Sequence, residues 1–185
     1  DVLQIGRQAR PELYAMEPQT PTPLVPAGLR IGARERVGAR GEVVTALDFA
    51  EAERIAQVVT AAAPEAVAIS LLFSFLDPAH ERMLADAIEH ALPGCFISVS
   101  SEVLPEFREY ERTSTVVANA YIGPVMSSYL GRMENQLGAR LRVMQSSGGS
   151  IPVELARRQP VRTVLSGPAG GVIGASHVAR SAGFD

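Results

Sequence analysis

The sequence predicts an α/β fold with three layers, a mostly parallel or mixed sheet flanked by helices. Three observations carry this. From Asp48 onward, helical and strand patterns alternate; that alternation implies right-handed crossovers and a largely parallel sheet. The segment "AVAISLLFSF" (Ala66 to Phe75) is a near-continuous apolar run, the pattern of a strand covered on both faces. The core material is aliphatic: 46% of residues are hydrophobic but only 5% aromatic, and there is no Trp.

Taken in order, residues 1–47 read as an irregular segment. Pro11, Pro18, Pro21, Pro23 and Pro26 interrupt any long helix. "LRIGARERVGARGEVVTAL" then predicts two short strands around a turn at Gly38 to Gly41. Residues 48–140 form an α/β segment. Asp48 and Glu51 have capping-box spacing, Ala52, Ile55, Ala56 and Val59 give one apolar face, and Pro64 stops the helix. The apolar strand follows. Asp77-Pro78 opens a second helix that buries Met83, Leu84, Ala87, Ile88 and Ala91, and "CFISVS" is the next strand. A long helix comes after it, carrying Val116, Val117, Ala120 and Tyr121 and then Met126, Tyr129, Leu130, Met133 and Leu137. Gly123-Pro124 is expected to kink or divide it. Residues 141–185 supply a strand at Leu141 to Gln145, a turn at "SGGS", a short helix "PVELARR", a strand at Val161 to Leu165 and a last helix. The strands at Ala66 to Phe75, Phe96 to Ser100, Leu141 to Gln145 and Val161 to Leu165 are expected to share one main sheet.

Composition excludes several chemistries. All 17 basic residues are arginine, so no lysine Schiff base, lysine general base or P-loop lysine exists here. The single Cys95 rules out an internal disulfide and a cysteine zinc site. His80 and His90 are ten residues apart on one helix and His177 is far along the chain, so no metal site is expected. The net charge of -3 gives no basic footprint for nucleic acid. The apolar runs are too short for a membrane span and no signal peptide is visible, which makes a cytoplasmic protein the default.

Three candidate sites remain. Two glycine-rich turns follow predicted strands: Ser147, Gly148 and Gly149, and then Ser166, Gly167, Gly170 and Gly171 within "SGPAGG". Neither fits GxxxxGK[ST] or GxGxxG. Glycine between a strand and a helix lets a backbone approach a ligand, yet glycines three and four apart also let a helix pack closely; spacing alone leaves both open. The third candidate is the charged cluster Glu106, Arg108, Glu109, Glu111 and Arg112. It reads either as a solvated helix start or as a site at the C-terminal edge of the preceding strand.

The string "VMQSSGGSIPVELARRQPVRTVLSGPAGGVIGA" closely resembles the hydantoinase/oxoprolinase A-subunit family, which includes N-methylhydantoinase A, 5-oxoprolinase and the acetone and acetophenone carboxylase subunits. "IGRQARPELY", "GEVVTALD", "AISLLFSFLDPAHE" and "SSEVLPEFREYERTSTVVANAYIGPV" resemble successive blocks of the same family, so the resemblance runs along essentially the whole chain. It implies part of an actin-like, ribonuclease-H-like ATPase fold, with ATP and Mg2+ held between two lobes by aspartate-and-glycine phosphate loops. Neither loop is in this sequence. The ends, Asp1 without Met and "SAGFD", look like cuts inside a longer protein, so the chain alone is expected to be inactive and to carry no bound cofactor. Ser147 stands where the family's "QSNGG" has an amide. "SGPAGG" would be a hinge segment near the nucleotide, packing tightly at Gly170 and Gly171, with the catalytic residues elsewhere.

The implied activity is that of a bacterial ATP-dependent enzyme hydrolysing a cyclic amide such as hydantoin or 5-oxoproline, in which ATP phosphorylates the amide or enol oxygen. The alternatives are a ketone carboxylase subunit of the same family and a non-catalytic docking module. The implied partners are a small cyclic-amide or ketone substrate and a second, B-type subunit or fused domain.

Overall fold

A computed structural model describes residues 2–7, 13–17, 22–138 and 141–184. Pro11, Pro18 and Pro21 lie outside the described residues. The chain forms two compact units, Asp1–Tyr121 and Ile122–Asp185.

The first unit begins with the single turn α1 (Val2–Ile5) and a 3-10 turn at Ala27–Leu29, just after Pro26. The expected hairpin follows as β1 (Arg36–Val37) and β2 (Val43–Thr45), antiparallel, with Gly41 at φ 84° in its turn. Then come α2 (Phe49–Ala62), β3 (Ala66–Ile69), α3 (Ala79–Ala91), β4 (Phe96–Val99), the single turn α4 (Ser100–Val103) and the long α5 (Glu109–Leu137), which carries the boundary between units. β3 and β4 pair in parallel, Ala66 opposite Phe96 through Ile69 opposite Val99. Their core packs Leu47, Ala52, Ile55, Ala56 and Val59 against Ile69, Leu84, Ile88 and Val99.

Local chemistry explains these elements. Asp48 accepts the Glu51 N–H at 2.7 Å and starts α2. The return half of the capping box does not form, because the Glu51 carboxylate is bound instead by Arg34 and Arg54. α2 ends on Ala63 in the left-handed region, immediately before Pro64. The β3 strand is shorter than its apolar run: residues 72–76 are turns, with Phe73 at φ 59°. Asp77 accepts from the Ala79 N–H and opens α3. The buried stripe of α3 is His80, Glu81, Leu84 and Ile88; Met83 and Ala91 are exposed, contrary to the apolar reading. Cys95 lies just ahead of β4, its thiol donating to the Pro64 carbonyl at 3.5 Å, and burial pushes its pKa up. α5 runs unbroken through Pro124. On it Val116, Val117, Ala120 and Leu130 are buried while Tyr121, Tyr129 and Leu137 face outward, so the aromatic stripe is not core.

The second unit departs further from expectation. Leu141 to Gln145 does not join the parallel pair. β5 (Arg142–Met144) instead pairs antiparallel with β6 (Ser150–Pro152), a strand the sequence did not reveal. α6 (Val153–Arg158) follows, and Leu130, Ile151, Val153 and Ala156 make this unit's core. Val161 to Leu165 is not a strand. Pro160, with its fixed φ and no N–H, opens a 3-10 turn over Pro160–Thr163, closed by Arg162 N–H to Gln159 and Val164 N–H to Val161. The four-strand main sheet is therefore replaced, among the described residues, by three two-stranded pairs flanked by helices. α7 (Ser166–Ser181) completes the unit.

Candidate functional site

The two glycine-rich segments, about twenty residues apart in sequence, meet in the second unit. Between β5 and β6 the chain turns at Gln145–Gly149. Gly148 and Gly149 sit at φ 89° and 74°, where a side chain is disfavoured. The Gln145 side chain donates to the Gly148 carbonyl at 2.9 Å, and the Gly148 N–H returns to the Gln145 carbonyl at 3.1 Å. Ser146 fastens this turn to the segment before α7. Its N–H reaches the Arg162 carbonyl at 2.7 Å, and its hydroxyl contacts the Arg162 and Val164 carbonyls.

α7 starts on Leu165, held at φ 63° with no side-chain cap. "SGPAGG" is thus the helical start of α7 and not a turn after a strand. Pro168 falls in the first helical turn, where its missing N–H costs little. Ser146, Ser147 and Gly148 face Leu165, Pro168, Ala169, Val172 and Ile173 across an open cleft of about 440 Å³. Gly148 makes the tight contact: an added Cβ would stand 3.1 Å from the Ile173 Cδ1. Gly170 faces Met144 at ordinary distance, and a Cβ on Gly167 or Gly171 would meet nothing within 4 Å. The close packing expected at Gly170 and Gly171 is accordingly found at Gly148. The cleft walls are apolar, with serine hydroxyls and backbone groups on the hairpin side. No titratable side chain lines it, so it can hold or position a group but supplies no general acid or base.

The charged cluster is dispersed. Only Arg112 is buried, at 1% exposure. Its guanidinium donates to the Glu106 carbonyl at 2.7 Å and the Leu71 carbonyl at 2.8 Å, and lies over the Phe75 ring. Burial pulls its pKa down, against the fields of Glu81 and Glu109. Glu111 accepts from Arg7 at 2.9 Å, and its carboxyl is held below the usual range first by a backbone N–H and then by Arg7. Arg108 stacks over the exposed Phe107.

Sequence reading missed Glu81, a fully buried carboxylate that accepts from Leu71 N–H, Ser100 Oγ and Ser101 N–H at 2.6 to 2.9 Å. Glu81 and Arg112 thus grip the N–H and the carbonyl of one residue, Leu71, at the C-terminal ends of β3 and β4. Arg112 Nε and Ser101 Oγ are buried there without a partner. A Glu in the first turn of a helix reads as solvated, so no pattern distinguished it. Among the described residues no group of three His, Cys, Asp or Glu could hold a metal, and no helix is long and apolar enough to cross a membrane.

Residues 1–92 match the model of the hydantoinase/oxoprolinase N-terminal region, and residues 112–185 that of hydantoinase/oxoprolinase. The chain belongs to the hydantoinase/oxoprolinase family. Among family relatives, it is 36% identical over 167 residues to the caprolactamase subunit alpha of Pseudomonas jessenii, covering 88% of this chain and 24% of that protein. It is 30% identical to the 5-oxoprolinase of Saccharomyces cerevisiae, covering 95% and 16%. The crystal structure of the ATP-dependent caprolactamase from Pseudomonas jessenii superposes with a TM-score of 0.82 at 34% identity, over 99% of this chain and 28% of that one. The nucleotide-free structure of the acetone carboxylase gives 0.78 at 30% identity, over 90% and 24%. The chain therefore spans about a quarter of the length of such hydantoinase/oxoprolinase relatives.

Proposed function

We propose that this chain is part of an ATP-dependent enzyme that opens a cyclic amide, in the manner of a hydantoinase, oxoprolinase or lactamase. The observation that carries the reading is the likeness to an ATP-dependent caprolactamase over nearly the whole chain. A lactam, a hydantoin and 5-oxoproline share the ring amide. Within an actin-like architecture, the segments Ser147 to Gly149 and Ser166 to Gly171 would lie near the nucleotide, and the cleft between them, lined by Ser147 and Gly148 on one side and Pro168 and Ala169 on the other, would act as a positioning surface.

The cleft has no cationic side chain for phosphate and no carboxylate for Mg2+. ATP and Mg2+ are accordingly assigned to the longer protein, in a cytoplasmic setting, together with a second subunit. That partner is suggested by the relative named as the alpha subunit of a caprolactamase. A ketone-carboxylating enzyme is the second reading, favoured by the fit to the acetone carboxylase.

The test is ADP release by the full-length protein with its partner subunit. The substrates are hydantoin, 5-oxoproline, caprolactam, and acetone with bicarbonate. ADP release coupled to ring opening of one cyclic amide is expected. Release driven by the ketone and bicarbonate alone would overturn the amide assignment in favour of carboxylation.

A further inference from the structure

His80 has both ring nitrogens committed inside the first unit. Its Nε2 lies 3.2 Å from the Leu47 backbone nitrogen, and its Nδ1 lies 2.7 Å from Glu35 Oε2. A backbone amide can only donate, so Nε2 accepts and Nδ1 carries the proton that Glu35 receives. The two side chains are 8% and 5% exposed. A ring so enclosed, with neither nitrogen available, is neither a metal ligand nor a catalytic base.

We propose that Glu35, His80 and the Leu47 amide form an acid-released clasp that ties the residue leading into α2 to helix α3. Adding a proton to Nε2 sets an N–H against the Leu47 N–H, and that bond must break. The Nδ1–H bond to Glu35 survives protonation of Nε2 and keeps the ring in place, so release proceeds by displacing Leu47 and not by ejecting the ring. Leu47 is itself a core residue and directly precedes the Asp48 cap. Opening therefore frees the N-terminal turn of α2.

The surrounding charges are already engaged. Arg34, next to Glu35, is bound to Glu51. Asp48 accepts from Glu51 N–H. On α3 itself, Glu81 is turned to Leu71 and Ser100, and Asp77 caps Ala79. Glu35 is thus the charged side chain bonded to the ring itself.

Nuclear magnetic resonance on the full-length protein, isotope-labelled at histidine and leucine, tests this. Ring 15N spectra should show the Nδ1–H form near pH 8. From about pH 8 to about pH 5, the range in which histidines protonate, Leu47 amide protection, corrected for intrinsic exchange, should fall about tenfold, as for one lost buried hydrogen bond. In His80→Gln the amide side chain can accept from Leu47 and donate to Glu35 without titrating, and the protection should stay flat. In Glu35→Gln the amide oxygen still accepts from Nδ1–H, so the Nδ1–H form and the Leu47 bond should persist near pH 8. An Nε2–H ring at neutral pH, Leu47 protection indifferent to His80 protonation, or the same fall in His80→Gln would each overturn the clasp.

Discussion

Gly148 and Gly171 invite the same substitution with opposite results. At Gly148, Ala must adopt a left-handed φ and press its Cβ to 3.1 Å from Ile173. A loss of about 1–3 kcal/mol is expected. At Gly171, inside α7 and open on its side-chain side, Ala should add up to about 1 kcal/mol, as the better helix former. Denaturant melts of the two variants read both signs. Glu51 gives a pH-dependent counterpart. Bonds from Arg54 and then Arg34 hold its carboxyl well below the usual carboxylate range. A depressed folded pKa stabilises the protein above the ordinary value, about 4.3, and that contribution is lost as pH falls below it. The stability gap between wild type and Glu51→Gln should therefore be constant above about pH 5 and close progressively in acid; urea titrations at stepped pH check it. Arg112→Met would strip the Glu106 carbonyl of its Arg112 donor and leave the Leu71 carbonyl the longer Ser74 N–H bond of 3.4 Å, costing about 1–3 kcal/mol. A variant as stable as wild type would show that those carbonyls find other donors.

Among the elements, those with a signal in their own stretch of chain were legible, the parallel β3 and β4 included, and those without one were not. α2 could be read because Asp48, the apolar spacing and Pro64 all act within one stretch of chain. The β1–β2 hairpin was legible for the same reason, through Gly41. Val161 to Leu165 misled because a β-branched run after a proline satisfies strand propensity and a 3-10 turn equally. The local bonds to Gln159 and Val161 decide for the turn, and the Ser146 bond to Arg162, sixteen residues away, fastens it. β6 escaped because three residues carry no periodicity. Of the candidate site, the glycines were visible through their type. Glu81 and His80 were not, since burial in α3 comes from neighbours distant in sequence. Leu165 supplies the element's own test. It enters α7 at φ 63° without a cap, a strain of order 1 kcal/mol for a branched-chain residue. Leu165→Gly should remove that strain but also lose a cleft wall, so the melting point should change little while the cleft's contacts weaken.

Taken whole, the 185-residue chain has no lysine anywhere, and no charged side chain lines the cleft between the Gln145–Gly149 turn and α7. Calorimetry with Mg-ATP on this chain should give no binding at micromolar affinity; a clear micromolar isotherm would contradict the assignment of the triphosphate site to residues beyond it.

The solitary thiol of Cys95, tucked against the Pro64 carbonyl where the β3 and β4 strands begin, makes the molecule its own stopwatch. Because the thiol is half-buried, a disulfide reagent such as Ellman's reacts at a rate set by how closely that corner of the first unit covers it. The colour released per minute then reports any loosening around Pro64 as a faster trace, with no probe to install and no second sulfhydryl to confuse it.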